Sequence, residues 1–210
     1  RAQRLSGILI RRNENVAWIT GGAVQLRVLT PCETGVASLL VTAEGKRYYF
    51  TTENEAPRLH DEEFGALDFE PVLFPWYADD TVAAATRLAG GPLGSDTPGA
   101  GLTPLNLYPL RASLSETEIA RYRWLGAETV AAAVESLYQV EPGLSEYDLE
   151  ALTAANLLKR GILPSVYLFA VDERIYKYKH AVARGKRLKQ YGMLNLCSRK
   201  WGLAISITRF

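Results

Sequence analysis

Two serine-led boxes, Ser115-x-x-Glu118 and Ser145-x-x-Asp148, constrain this chain more than any other feature. In each, the serine hydroxyl accepts from a backbone N–H three residues on, and the acid reaches back to the serine N–H. That reciprocal pair fixes a helix start. After the first box, Ile119, Tyr122, Leu125 and Ala127 continue at helical spacing, which predicts a helix to about Tyr138, closed by Glu141-Pro142-Gly143. The second box predicts a helix through Arg160, ended by Gly161. Residues 166–171, 191–197 and 203–208 then read as strands, the last two paired through a turn at 199–202.

Short strands and helices alternate in the N-terminal half. Residues 5–10 form the first predicted strand. In NENVAWITGG, residues 13–22, polar turn residues lead into an apolar segment that the glycine pair releases. Strands are expected at 36–42 and 46–52 around a Glu44-Gly45 turn, then at 69–76. Residues 55–64 carry apolar side chains at helical spacing, and 81–88 form a short Ala-rich helix. Such alternation predicts an α/β domain. Residues 90–101, GGPLGSDTPGAG, have neither GxxxxGK[ST] nor GxGxxG spacing, so a surface loop is expected rather than a phosphate cradle. Asn106 to Arg111 marks the expected boundary between domains at 1–110 and 111–210.

Bulk properties exclude several classes. With 48% hydrophobic and 22% charged residues, the chain is ordinary for a globular protein. A net charge of +1 argues against a life on nucleic acid or acidic membrane. Cys32 and Cys197 have no CxxC or histidine neighbour, which argues against a metal knot. No apolar run reaches the ~18 residues of a membrane span. The opening RAQRLSGILI is too short and polar-flanked for a signal peptide, so a cytoplasmic location is expected. A start at Arg rather than Met points to residues ahead of Arg1. Two histidines and no GxSxG leave a serine triad unsupported.

Residues 176–210 read YKYKHAVARGKRLKQYGMLNLCSRKWGLAISITRF. This stretch resembles one half of the two-metal site of the pita-bread metallopeptidases: Xaa-Pro aminopeptidases, prolidases, methionine aminopeptidases and the non-metal relative creatinase. The resemblance places His180 at the family histidine that precedes the first ligand strand, and Thr208-Arg209 at the Thr-Arg pair ending the next. The family's two Asp ligands, eleven residues apart, then fall at Asn195 and Ser206. NENVAWITGG is similar to an Asn-x-x-Tyr-Leu-Thr-Gly-like segment of the creatinase-like N-terminal domain. PGLSE is similar to the Pro-Gly-x-Ser/Thr-Glu that joins the first catalytic-domain helices. The implied architecture is α/β: a creatinase-like N-terminal domain, then the first half of an α+β pita-bread domain.

What the resemblance implies for chemistry turns on the two missing acids. Divalent ions ~3.5–4 Å apart need bridging anionic oxygen between them. An amide oxygen is neutral, and a serine hydroxyl ligates weakly. The family's remaining ligands, one His and two Glu, belong to the second half of the fold. No metal, no cofactor and no catalytic residue is therefore assigned. Three functions stay open: an inactive relative binding a peptide or small ligand, a hydrolase with an altered mechanism in the creatinase manner, and an interaction or chaperone-type module. A homodimer, or a C-terminal half, is expected to complete the domain.

Each candidate ligand-binding residue has a plainer reading beside it. By resemblance His180 contacts substrate; alternatively it is a strand-edge histidine bonded to backbone. Asn195 and Ser206 are expected inside their strands, bonded to each other, to a ligand or to water. They form either a polar pocket or a satisfied core pair. Tyr178 belongs to a basic, aromatic stretch with Tyr176, Lys177 and Lys179, which lines an anion groove or is simply a solvated face. His60 is expected on the surface.

Overall fold

The computed structural model describes residues 4–30 and 32–210. Two compact units divide the chain, Arg1–Ser113 and Leu114–Phe210.

The first unit runs through β1 (Gly7–Arg12), α1 (Asn13–Ile19), β2 (Thr34–Thr42), β3 (Arg47–Thr52) and α2 (Ala56–Arg58). Helix α2 widens into a π turn at Leu59–Phe64, followed by β4 (Glu70–Phe74), α3 (Thr81–Ala89), β5 (Leu93–Ser95), β6 (Leu102–Pro104) and α4 (Tyr108–Arg111). The sheet order is β4-β3-β2-β1-β5-β6, antiparallel among β1, β2 and β3 and parallel elsewhere. Strand side chains alternate between faces, so each central strand feeds two cores. Ile10, Leu39 and Tyr49 pack with Val16, Leu59 and Phe64. Their neighbours Leu9, Leu40 and Phe50 pack on the other side with Ala84 and Ala85 of α3. The Tyr49 and Phe64 rings stack with centroids 4.1 Å apart.

Two expectations are corrected here. Residues 13–19 form a helix, because Val16 and Ala17 bury one side of it against the sheet. Residues 90–101 are a surface loop only in part: 98–101 are exposed, but β5 lies wholly buried beside β1, and Leu93 is 1% exposed. Glycine is needed there for close approach, since a Cβ on Gly94 would stand 2.2 Å from Leu105 Cδ1. Asp96, just past β5, accepts from the backbone N–H of Arg11 (2.9 Å) and Arg12 (3.0 Å) and from Asn15 Nδ2 (2.8 Å).

The second unit holds α5 (Glu116–Leu137), α6 (Glu146–Leu158), β7 (Leu163–Val171), α7 (Arg174–Lys177), β8 (Gly192–Lys200) and β9 (Leu203–Arg209). Both capping boxes form. Ser115 Oγ accepts from Glu118 N at 3.3 Å and Ser145 Oγ from Asp148 N at 3.2 Å, and each acid accepts the serine N–H at 2.8 Å. Strands β7, β8 and β9 make an antiparallel sheet in that order. The helices cover one face, where Leu125, Leu149 and Leu157 meet Phe169, Leu194 and Leu196. Lys200 pairs with Leu203, so the β8–β9 turn is two residues, shorter than expected. Trp201 (φ 54) and Gly202 (φ 76) supply the two positive φ values of a type I′ turn.

Candidate functional site

The face of the β7-β8-β9 sheet opposite the α5–α6 core carries Asn195 and Ser206. Leu194, Leu196 and Ser198 point into the core, so Asn195 and Cys197 point the other way. Across the ladder Asn195 faces Thr208 and Cys197 faces Ser206. Leu168 and Val166 of β7 stand opposite Asn195 and Cys197 on the other side. Asn195 and Ser206 are thus diagonal neighbours on one open face, as a shared site requires.

Of the alternatives expected, the satisfied core pair is not what these residues form: they are not bonded to each other and neither is buried. Ser206 is exposed, and its hydroxyl accepts from Cys197 Sγ at 3.3 Å. The Asn195 amide has no hydrogen bond among the described residues. Both lie on the face opposite the helical core, where Asn195 is half-buried and Ser206 exposed, so water can reach these groups. Cys197 and Thr208 were legible as companions from the period of two. Their relation to Ser206 and Asn195 needed the register.

His180 and Tyr178 lie on the segment between α7 and β8, not on a strand edge. His180 sits in a turn, exposed, with its carbonyl accepting from Val182 N. Tyr178 is 51% exposed and lies under the Arg174 guanidinium, 5.4 Å from its ring. His60 is exposed, as expected. A ring stack missed in the sequence runs from this segment to the end of β9. Tyr176 and Tyr191 are parallel within 8° at 6.5 Å, and Tyr191 and Phe210 within 16° at 6.0 Å.

Two carboxylates hold the segment. Glu146, fully buried, accepts from Arg174 Nε (2.7 Å) and from the Arg184 N–H (2.7 Å). Arg174 also donates to the Val182 carbonyl. Asp172 (φ 49) accepts the N–H groups of Lys189, Gln190 and Tyr191 at 3.0–3.1 Å. Burial alone would raise its carboxyl; the three N–H bonds outweigh that and hold it below the usual carboxylate range. These contacts explain the PGLSE stretch: its glutamate anchors the segment bearing Tyr178 and His180.

The face offers an amide, two hydroxyls and a thiol, with the exposed Arg199 on the same side of β8 and no carboxylate among the strand residues. No group of three or more His, Cys, Asp or Glu able to hold a metal occurs among the described residues. This donor set does not fit a dinuclear metal centre, which needs anionic bridges. The one hydrogen-bond partner of Cys197 Sγ among the described residues is the Ser206 hydroxyl.

Solved structures with the same architecture include prolidases, X-Pro aminopeptidases and dipeptidases by name. A prolidase from Thermococcus sibiricus superposes with TM-score 0.69 at 16% identity, over 98% of this chain and 60% of its own. An X-Pro aminopeptidase from Thermotoga maritima gives 0.68 at 14%, over 98% and 62%. A Xaa-Pro dipeptidase from Bacillus anthracis gives 0.65 at 17%, over 98% and 59%. The chain has the fold of part of these structures, a creatinase-like α/β unit followed by the first half of a pita-bread domain. It spans less than two thirds of the length of these pita-bread structures. Identities this low establish the fold, with its creatinase-like first unit, and leave activity to be argued from the site. No protein-family model and no curated protein matches the chain.

Proposed function

We propose that this chain is a Xaa-Pro peptidase-like protein with a degenerate metal site, whose open sheet face receives a peptide or small ligand without dinuclear hydrolysis. The observation that carries the reading is that Asn195 and Ser206 are diagonal neighbours on one face of a sheet whose three strands contain no Asp or Glu. Asn195, Ser206 and Thr208 can each donate and accept, which suits the amide groups of a peptide backbone. The Tyr176, Tyr191 and Phe210 rings offer apolar surface beside them. A homodimer and a cytoplasmic location belong to the same reading. No described helix is long and apolar enough to cross a membrane.

The test joins metal analysis to peptide binding. Elemental analysis after desalting is expected to find no stoichiometric Mn, Co or Zn, and Xaa-Pro dipeptides are expected to stay intact with Mn added. Saturable dipeptide binding, weakened in Asn195→Leu/Ser206→Leu, is expected by calorimetry. About two retained metals per chain with metal-dependent turnover would overturn the proposal.

A further inference from the structure

A cleft of about 210 Å³ in the first unit is lined chiefly by Arg12, Glu14, Asn15, Asp96, Tyr108 and Arg111. Part of this lining is already satisfied. Asp96 is bonded by Arg11 N–H, Arg12 N–H and Asn15 Nδ2, and the Arg12 guanidinium binds the Asp96 carbonyl and Glu33.

Glu14 and Arg111 differ. Both are half-buried. Among the described residues the Glu14 carboxylate has neither a hydrogen bond nor an ion pair. Arg111 meets no acid; its guanidinium lies 5.7 Å from the Tyr108 ring, and its buried Nε lacks an acceptor. Asn15, 4% exposed, donates through Nδ2 while its Oδ1 goes without a donor. Partly buried charge and orphaned polar atoms carry a desolvation cost that a partner relieves. Two opposite charges that line one cleft without pairing call for a bridge charged at both ends.

We propose that this cleft binds a free α-amino acid. Its ammonium group faces Glu14, and its carboxylate meets the Arg111 guanidinium, a planar fork suited to carboxylates. Size agrees: the volume lies below the ~300–1,000 Å³ of pockets for drug-sized ligands yet exceeds several waters at ~30 Å³ each. The site is independent of the sheet face in the second unit.

Calorimetry on the full chain with each proteinogenic L-amino acid tests the proposal, followed by the N-acetyl and carboxamide derivatives of any that bind. Saturable binding of at least one is expected. Blocking either end of that ligand, or making Glu14→Gln or Arg111→Gln, is expected to weaken it at least about tenfold, as loss of one charge-assisted bond does. Asn195→Leu is expected to leave it unchanged, which separates this site from the proposed peptide face. Thermal melts check folding, and Arg111→Lys, which keeps charge without the fork, is expected to bind at an intermediate level. The proposal is overturned if no amino acid binds, if both blocked derivatives bind as well as the parent, or if folded Glu14→Gln and Arg111→Gln bind like the native chain.

Discussion

Removing the Glu146 carboxylate leaves the Arg174 guanidinium without its acid and the Arg184 N–H without its acceptor. Breaking a buried pair from one side costs about 3–5 kcal/mol, so Glu146→Ala is expected to lower the urea midpoint sharply. Glu146→Gln, which can still accept, is expected to lose less. Asp172 predicts a pH effect. Its folded carboxyl is held below the unfolded value. Its contribution is therefore present above about pH 4, near the unfolded carboxylate value, and is lost as pH falls through the folded one. Asp172→Asn is expected to flatten the acid limb of a stability–pH curve; an unchanged limb counts against this account. For the metal site, Asn195→Asp/Ser206→Asp in the 210-residue chain is expected to bind no Mn or Zn by calorimetry. Two acids remain short of the family's ligand set, and binding would refute the assignment of the missing ligands.

Local signals at the level of elements were the most legible. Ser115 and Ser145 mark helix starts because a capping box is complete within four residues, and both boxes form as read. Ser145→Ala is expected to cost about 1 kcal/mol in thermal stability. Gly202→Val is expected to disfavour the β8–β9 turn, since φ 76 is strained for a β-branched residue; near-UV circular dichroism from Trp201 would report it. Strand β5 was illegible for the opposite reason. Its three residues show no periodicity, and its burial depends on Leu105 and on β1, a partner more than eighty residues away. The same limit applied to the site. Spacing located Asn195 and Ser206, while exposure of the hydroxyl and the Cys197 contact followed from the β8–β9 register and from the face on which the helices pack.

At the scale of the molecule, the second unit packs α5 and α6 on one face of its sheet and leaves Ser206 and Thr208 exposed on the other. Strand β9 pairs with β8 alone among the described residues, and Tyr176 and Phe210 are 80% and 68% exposed. An open edge beside exposed rings favours association. Light scattering of the 23.2 kDa chain is expected to show a dimer or larger species. A cooperatively melting monomer that does not bind ANS would show that this face needs no cover. The first unit has its own consequence, set by the order in which strands are made. Strand β1 emerges early and takes β2 on one side, but its other neighbour, β5, follows roughly fifty residues after β2 ends. At ~5–20 residues per second, a ribosome leaves that flank of the nascent sheet open for about 3–10 s, and the Asp96 latch on Arg11 and Arg12 closes only when the wait is over.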